Sequence, residues 1–299
     1  MSAWRTLDGR PSRIIAHRGA SGLLPEHTLP AYELALAQGA DVIEPDLVAS
    51  ADGVLFCRHD LGLARSTDVA RRPQFADRRR DRDGVSDWWV DGFTAAELDG
   101  LRAVQPWPQR DHALDGQYPL LRFDALLDWA GRQSPPAMLY PELKFPQVFQ
   151  SRGIDAAELL CAALEQRGLA GEQAPVWLQC TDHEVLHSLQ RRCGNRAFAL
   201  VERDDPRLID TPWLGKLSRW ADGIAPDKAA LWAPSGDDSG LVTRAHDCGL
   251  EVHAWTFRDD VANEPFGSIA EELDAAFELG VDALFCDFPA TAIALRNAR

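Results

Sequence analysis

The stretch that decides the fold runs from residue 14 to residue 60 and reads IIAHRGASGLLPEHTLPAYELALAQGADVIEPDLVASADGVLFCRHD. Two short apolar runs, Ile14–Ala16 and Val42–Ile43, flank the segment Glu26–Gln38, whose apolar residues have helical spacing. A strand, a helix and a strand at this length predict a βαβ unit, in which the two strands are parallel. The residues that follow the two strands should therefore meet at one rim of the sheet.

Polar side chains follow both predicted strands. His17 and Arg18 come after the first strand, and Glu44 and Asp46 come after the second. The carboxyl ends of parallel strands form the edge at which α/β folds place their chemistry. We therefore predict a functional site at this rim.

A predicted hairpin adds a second histidine to this group. Ala51-Asp52-Gly53 is a turn signal between the extended runs Leu47–Ser50 and Val54–Arg58. A hairpin centred on this turn brings residue 59 back beside residue 45, so His59 should lie near the two carboxylates. Two histidines, two carboxylates and an arginine that converge from separate positions indicate an active site.

The remainder of the chain alternates between apolar strands and amphipathic helices. Without the second arm of the hairpin, we predict strands near residues 15, 43, 140, 178, 199, 224, 253 and 285. This number of βα units predicts an α/β fold of the closed (β/α)8 type, a TIM barrel formed by one domain over residues 1–299. Residues 61–117 are charged and aromatic without a regular period, which predicts an insertion after strand 2 and its hairpin.

Charge and hydropathy restrict the class of partner. The net charge is −15, with 31 basic against 46 acidic residues, which argues against nucleic acid and against strong docking on anionic lipid. No segment approaches about 18 consecutive apolar residues, so we expect no stable membrane anchoring. The sequence does not indicate an oligomeric state.

Two sequence features favour a cytoplasmic location. The first 13 residues lack the apolar run of a secretory signal, although a leader that had been removed would instead imply the periplasm. The cysteines show no CxxC spacing, so neither a disulfide framework nor a zinc site is indicated. They stand at positions 57, 161, 180, 193, 248 and 286.

Three carboxylates at the ends of predicted strands form a candidate metal site. Glu44 and Asp46 lie two apart in an extended segment and therefore point the same way, and Glu142 ends the next strand. Oxygen ligands without a thiolate favour one hard divalent cation, Mg²⁺ or Ca²⁺. The alternative is that these acids pair with Arg18 and Lys144 as a charge network.

An ordered set of motifs resembles the glycerophosphodiester phosphodiesterase family, and most closely its bacterial periplasmic-type members. The resemblance runs from about residue 13 to the C-terminus. The matching motifs are HRGASG (17–22), PEHTLPA (25–31), GAD (39–41), ExDLV (44–48), HD (59–60), STDVA (66–70), YPELK (140–144), LQC (178–180), DGI (222–224) and DFP (287–289). The resemblance implies metal-dependent hydrolysis of glycerophosphodiesters to glycerol 3-phosphate and an alcohol.

The resemblance also implies roles for the two histidines and the acidic cluster. It assigns His17 and His59 to acid and base catalysis, and the metal ligands to the three carboxylates named above. Cleavage of a phosphodiester removes one proton from a nucleophile and delivers another to the leaving alkoxide, and histidine suits both tasks near neutral pH. Which histidine is the base stays open. The family's initial attack by the glycerol 2-hydroxyl, through a cyclic phosphate, is implied in the same way.

Further residues are predicted to bind substrate. Arg18 and Lys144 are the candidate phosphate contacts, because a guanidinium can grip two phosphate oxygens and an ammonium supplies a point charge. Their alternative role is to pair with the carboxylates. Residues at strand ends that could line the alcohol or glycerol side, or merely pack the rim, are Gln179, Trp255, Asp287 and Phe288. His27 is interpreted as a helix-entry residue.

Two other functions remain open at the level of sequence. A relative on the same barrel could act on lipids, as a lysophospholipase D or a phosphoinositide-type phospholipase. The chain could also bind a glycerophosphodiester or a metal without catalysis, although the presence of both histidines and all three carboxylates argues against this. The sequence does not specify the alcohol moiety.

Overall fold

The structure, a computed structural model, describes residues 4–233, 235–261 and 264–299. Residues 1–3 of the N-terminal segment, and residues 234, 262 and 263 of the predicted domain, therefore lie outside the described residues.

Strands and helices alternate along the chain, as predicted. In chain order the strands are β1 Arg13–His17, β2 Val42–Glu44, β3 Asp46–Ala49, β4 Leu55–Cys57, β5 Arg80–Arg82, β6 Val85–Asp87, β7 Glu142–Leu143, β8 Trp177–Cys180, β9 Arg196–Val201, β10 Gly223–Pro226, β11 Glu251–Phe257 and β12 Ala283–Cys286. The α-helices are α1 Leu29–Ala37, α2 Ala95–Asp99, α3 Phe123–Gly131, α4 Pro146–Gln150, α5 Ala156–Glu165, α6 His183–Cys193, α7 Thr211–Leu217, α8 Leu241–Asp247, α9 Ile269–Leu279 and α10 Pro289–Asn297. Across the described ranges, no helix is both long and apolar enough to cross a membrane.

The main sheet closes into the predicted (β/α)8 barrel. Its strand order is β2-β1-β12-β11-β10-β9-β8-β7-β3-β4, and every neighbouring pair except the β3–β4 hairpin is parallel. β2 and β3 are two halves of one strand separated at Pro45, which has no N–H to donate. Tyr140 N donates to Ile43 O, and Glu142 N donates to Pro45 O, both at 2.9 Å. The segment around β7 therefore joins both halves, and the barrel is complete.

The hairpin after the second barrel strand has the predicted register. Leu47 lies opposite Cys57 in the antiparallel pair β3–β4, which places residue 59 beside residue 45. The first helix differs from the prediction at its start. It begins at Leu29 with Thr28 as N-cap, because His27 has a φ of 58°, which a helical residue cannot adopt. His27 therefore lies before the helix, and not in its first turn as the predicted helical segment Glu26–Gln38 would require.

The segment between β4 and α3 contains the β5–β6 hairpin, α2 and short 3-10 helices. The 3-10 helices of the chain are Val69–Arg71, Pro73–Arg78, Val90–Gly92, Pro206–Ile209 and Lys228–Leu231. Trp88 is buried, and its Nε1 donates to Phe75 O at 2.6 Å. The guanidinium of Arg78 lies 3.9 Å from the ring centre of Phe93. These aromatic and cationic side chains therefore hold the segment together internally.

One pair of cysteines corrects the sequence analysis. Cys161 of α5 and Cys193 of α6 form a disulfide, contrary to the expectation from the cysteine spacing. The two residues are 32 positions apart and are brought together by the packing of adjacent helices, so no local spacing could reveal them. Disulfides persist in oxidising compartments, and the cysteines therefore no longer support a cytoplasmic location.

A polar network lies inside the barrel at the amino end of β11, opposite the rim that carries His17. Glu251 accepts hydrogen bonds from Arg196 Nη2 and from His253 Nε2, both at 3.0 Å. The Tyr140 hydroxyl lies 3.2 Å from the other ring nitrogen of His253. Burial alone would raise the pKa of Glu251, but the bonds from His253 and Arg196 lower it to about 2. Glu251 is therefore stabilised in its ionised form by folding.

We predict that Glu251→Gln destabilises the protein more at neutral pH than in acid. A pKa that falls from 4.5 to about 2 on folding corresponds to ~3 kcal/mol of unfolding free energy at pH 7. Because the folded-state pKa is depressed, this stabilisation is present above about pH 4.5 and is lost as the pH falls toward about 2. Urea unfolding of the wild type and the variant between pH 7 and pH 3 measures the difference.

The matched control is Asp274→Asn, which removes an exposed ion pair with Arg299. This change should alter the unfolding free energy by less than ~1 kcal/mol at every pH. A difference between Glu251→Gln and wild type that stays constant with pH would contradict the ionic role of Glu251.

Candidate active site

The carboxyl rim of the barrel brings the predicted metal ligands together. Glu44, Asp46 and Glu142 each offer a carboxylate oxygen, and these oxygens lie within 4.8 Å of one another. The three residues are 1%, 1% and 7% exposed. Their proximity follows from the fold, since Glu44 and Asp46 flank Pro45 and β7 lies beside β3 with Glu142 opposite Asp46.

The loop after β1 is shaped to reach this cluster. Gly19 has a φ of 89°, and a Cβ there would lie 2.7 Å from the backbone of Ala31, so only glycine allows α1 to approach so closely. Arg18 precedes it with a φ of 60°, a conformation that is uncommon for residues other than glycine. This strained loop aims the Arg18 guanidinium at the carboxylates, with Nε 3.0 Å from Asp46 Oδ2 and Nη1 3.0 Å from Glu26 Oε2.

The carboxylates outnumber the fixed cations at this site. Four acidic residues face two basic residues, which leaves a net charge of −2 when all are ionised; they are Glu26, Glu44, Asp46 and Glu142 against Arg18 and Lys144. Burial and the neighbouring Asp46 charge raise the pKa of Glu44 well above its usual range. Burial and the same neighbour raise the pKa of Glu142 to about 8, against the opposing charge of Lys144.

Asp46 itself is held ionised. Burial alone would raise its pKa, but the positive charges of Arg18, His59 and Lys144 hold it well below its usual range. Its Oδ1 atom is buried and, among the described residues, accepts no hydrogen bond. An ionised, inward-facing oxygen beside two other carboxylates is a suitable ligand for a cation.

The donor atoms fit a hard divalent cation. Gln179 is 1% exposed, and its Nε2 donates to Glu44 Oε1 at 3.2 Å and to Tyr140 O at 3.3 Å. Its own Oε1 is buried and has no hydrogen-bond donor among the described residues. The cluster thus presents carboxylate oxygens without sulfur, the set that Mg²⁺ and Ca²⁺ prefer. The acidic cluster could hold a metal ion. Gln179 contacts this cluster through its Nε2, and its predicted contact with substrate stays a prediction.

The alternative of a charge network is also visible in the structure. Lys144 Nζ lies 2.8 Å from Glu142 Oε1, and Arg18 pairs with Asp46 as described above. Burial alone would lower the pKa of Lys144, but the charges of Glu142 and Asp46 raise it above its usual value. Both cations are therefore charged, but two cations cannot neutralise the four acidic residues when all of these are ionised.

His17 is held by a buried carboxylate from the opposite end of the chain. Its Nδ1 lies 2.6 Å from Asp287 Oδ1, and Asp287 Oδ2 accepts from Arg110 Nη2 at 2.6 Å and Arg258 Nε at 2.9 Å. Although burial alone would raise the pKa of Asp287, the bond from His17 and the charges of Arg258 and Arg110 hold it well below its usual range. Asp287 is therefore ionised, so Nδ1 of His17 donates and Nε2 is left as an acceptor.

The ring of His17 is neutral at pH 7. Burial, followed by the positive charge of Arg18, lowers the pKa of His17 to about 4, in spite of the opposing effect of Asp287. A neutral imidazole with a free Nε2 acceptor can take up a proton.

His59 has a similar arrangement on the hairpin. Its Nδ1 lies 2.5 Å from Asp60 Oδ1, and Asp60 Oδ2 lies 3.4 Å from Arg65 Nη1. The bond from His59 keeps the pKa of Asp60 well below its usual range, against the effect of burial. The His59 side chain is 27% exposed, so it is more accessible than His17 at 12%. Each histidine thus has a carboxylate on Nδ1 and an arginine behind that carboxylate.

The remaining predicted substrate residues lie at the rim and are partly exposed. Trp255 Nε1 donates to Ala225 O at 2.7 Å, which fixes the indole over the end of β10. The ring of Phe288 packs on Gly22, where a Cβ would lie 2.3 Å from the ring. Both side chains are in positions from which they could contact a substrate, and their role stays a prediction.

Three contacts of this site do not follow from the sequence. His27 is buried, and its Nε2 lies 3.0 Å from Asp46 Oδ2, so it does more than begin a helix. Asp287, predicted to line the alcohol or glycerol side or to pack the rim, binds His17. Arg110 stands in the aperiodic segment 61–117 and carries no motif. The DFP motif could have pointed to Asp287, but nothing in the sequence singled out Arg110.

Known proteins resemble this chain along most of its length. A profile described as "Glycerophosphoryl diester phosphodiesterase family" matches residues 17–291. The chain is 31% identical to a glycerophosphodiester phosphodiesterase of Arabidopsis thaliana, over 92% of this chain and 83% of the plant protein. It is 29% identical to the glycerophosphodiester phosphodiesterase of Haemophilus influenzae, over 94% and 88% of the two chains.

A solved structure supports the fold. A phosphodiesterase from Oleispira antarctica, determined in complex with its product sn-glycerol-3-phosphate, superposes with a TM-score of 0.71 and 20% sequence identity, covering 98% of this chain and 100% of that chain. This likeness bears out the barrel, and the match of the family profile over most of the chain bears out the resemblance found in the sequence. The chain is therefore an enzyme that belongs to the glycerophosphoryl diester phosphodiesterase family.

Proposed function

We propose that the chain hydrolyses glycerophosphodiesters to glycerol 3-phosphate and an alcohol, with His17 and His59 as base and acid. One observation carries the proposal: two carboxylate-held histidines stand at the same barrel rim as a buried cluster of three carboxylates with uncompensated charge. General acid–base catalysis beside a hard cation is the chemistry that such an arrangement supports.

His17 is the better candidate for the base. It is neutral at pH 7, and its Nε2 is the ring nitrogen free to accept a proton from the attacking hydroxyl. His59 then delivers a proton to the alkoxide that leaves phosphorus. The P–O bond to the alcohol breaks, the attacking oxygen forms the new bond, and each histidine recovers its starting state by proton exchange. The family resemblance implies that the attacking group is the glycerol 2-hydroxyl. This attack would expel the alcohol and give a cyclic phosphate, and water would then break the P–O bond to the glycerol 2-oxygen and so yield glycerol 3-phosphate.

The acidic cluster is the proposed site of one divalent cation, Mg²⁺ or Ca²⁺. Glu44, Asp46 and Glu142 would hold it, and the amide of Gln179 would orient Glu44 by donating from Nε2 to its Oε1. When bound, such an ion polarises phosphoryl oxygens and stabilises the charge that develops on them. Arg18 and Lys144, 12% and 13% exposed at their side chains, are placed to add positive charge toward a phosphate.

The proposed substrate is a small molecule and not a nucleic acid, in keeping with the net charge of −15. Trp255 and Phe288 are the proposed contacts on the alcohol side. A cytoplasmic location stays a prediction, and the disulfide is the observation against it, because disulfides persist where conditions are oxidising.

We predict that the purified protein releases glycerol 3-phosphate from glycerophosphocholine, that EDTA abolishes this release, and that Ca²⁺ or Mg²⁺ added back separately restores it. An enzyme-coupled assay for glycerol 3-phosphate measures the rate. Turnover on lysophosphatidylcholine micelles, without turnover of glycerophosphocholine, would replace the proposal with a lipid phosphodiesterase.

We predict that His17→Ala and His59→Ala each lower kcat by about 10²–10⁴, the usual contribution of a positioned acid or base. The thermal unfolding midpoint should change little. His112→Ala is the matched control, since His112 is an exposed histidine that also has an aspartate partner, Asp115. Near-normal turnover in either of the first two variants would refute the role of that histidine.

We predict that Asp46→Asn weakens the binding of Ca²⁺ or Mg²⁺ to chelator-treated protein by more than about 100-fold. Loss of a residue that hydrogen-bonds to a metal ligand usually costs about 10- to 100-fold in metal affinity, and loss of a ligand itself should cost more. Isothermal titration calorimetry measures the dissociation constant without reference to activity. Asp52→Asn, in the neighbouring hairpin turn, is the control and should leave binding unchanged. Equal affinity in Asp46→Asn and wild type would remove Asp46 from the metal site.

A further inference from the structure

Arg110 is a buried cation that the segment 61–117 contributes to the barrel rim. Its side chain is 2% exposed, and its partners lie 89 to 177 residues away in the chain. Nε and Nη2 donate to the two oxygens of Asp260 at 2.9 and 3.2 Å, and Nη1 donates to Ser21 O at 3.2 Å. Nη2 also donates to Asp287 Oδ2 at 2.6 Å.

The last of these bonds leads directly to His17. Asp287 uses Oδ1 to accept from His17 and Oδ2 to accept from Arg110 and Arg258. Bonds on both oxygens fix the plane of the carboxylate, and Arg110 supplies the shorter and more deeply buried of the two bonds to Oδ2, at 2.6 Å against 2.9 Å from Arg258. The plane of Asp287 in turn sets the ring orientation and tautomer of His17.

Attachment of the segment to the rim does not depend on Arg110 alone. Gln105 Nε2 donates to Ser21 O at 3.1 Å, and Ser21 Oγ donates to His17 O at 2.8 Å. A buried guanidinium is costly to desolvate, and simple packing would be served as well by an apolar residue. Its bond to Asp287 is therefore the contact that needs a functional explanation.

We propose that Arg110 is a positioning residue for His17, acting through Asp287, so that the segment 61–117 completes the active site of the barrel. The catalytic task of His17 in this inference rests on the proposed function. The orientation of His17 by Asp287 and Arg110 does not. Arg110 does not touch the reacting atoms; it holds the carboxylate that orients the base.

The kinetic test is Arg110→Gln. We expect kcat for glycerophosphocholine to fall about 10- to 100-fold, the usual cost of losing an outer partner of a functional side chain, with KM changed less than about threefold. Arg110→Lys keeps the positive charge but loses the planar set of guanidinium donors. It should retain part of the kcat that Arg110→Gln loses. Arg82→Gln is the matched control, because Arg82 pairs with the buried Asp91 within the same segment and should leave kcat unchanged.

A double variant separates action through Asp287 from a general loss of structure. In the Asp287→Asn background, the further change Arg110→Gln should lower kcat by less than about twofold, because the route to His17 is already broken. Multiplicative losses in the double variant would overturn the proposal. So would a kcat of Arg110→Gln equal to that of wild type.

An NMR measurement tests the inference without substrate. In protein labelled with ¹⁵N-histidine, the Nδ1 proton of His17, identified by its loss in His17→Gln, should shift or broaden in Arg110→Gln and stay unchanged in Arg82→Gln. If Arg110→Gln proves unfolded, Arg110→Lys carries the same test with a smaller shift in the same direction.

The outcomes distinguish the two proposals. The His17 Nδ1 proton could shift in Arg110→Gln while the wild-type protein hydrolyses no glycerophosphodiester. This result would support the positioning role and overturn the proposed function. An unshifted proton in the folded Arg110 variants would overturn the positioning role, whatever the turnover.

Discussion

The excess of buried carboxyl groups over basic groups at one rim of the barrel is the constraint that organises the site. Four acidic residues face two cations, and burial, followed by the neighbouring charge of Asp46, raises the pKa values of Glu44 and Glu142. The strained backbone at Arg18, the close approach at Gly19 and the amide of Gln179 all serve to hold these groups together. Such an arrangement costs stability and is retained at sites that bind a cation.

Buried carboxylates at the two ends of the barrel are compensated to different degrees. At the amino end, Glu251 is satisfied by Arg196 and His253, and its lowered pKa shows that folding stabilises the ion. At the carboxyl end, Glu44 and Glu142 are left with raised pKa values. This division matches the general behaviour of TIM barrels, in which one end contributes stability and the other carries the chemistry.

The site is built from parts of the chain that are far apart. The barrel supplies the carboxylates and His17, the hairpin supplies His59, and the C-terminal strand leads to Asp287. The segment 61–117 then adds Arg110, which links Asp287 to Asp260 and to the loop after β1. His17, Asp287, Arg258 and Arg110 thus form one hydrogen-bonded group drawn from four parts of the chain, so the segment is part of the rim and not only a surface addition.

The barrel, the register of the hairpin and the convergence of His17, His59 and the three carboxylates were predictable from the order of residues alone. Those features depend on local periodicity and on the rule that parallel strands end at one rim, and both can be read from neighbouring residues. The partners of Asp287, the contact of His27 with Asp46 and the pairing of Cys161 with Cys193 become visible only in the folded chain. These contacts join loops and helices whose separation in space depends on packing across the whole domain, and no local pattern in the sequence records that packing.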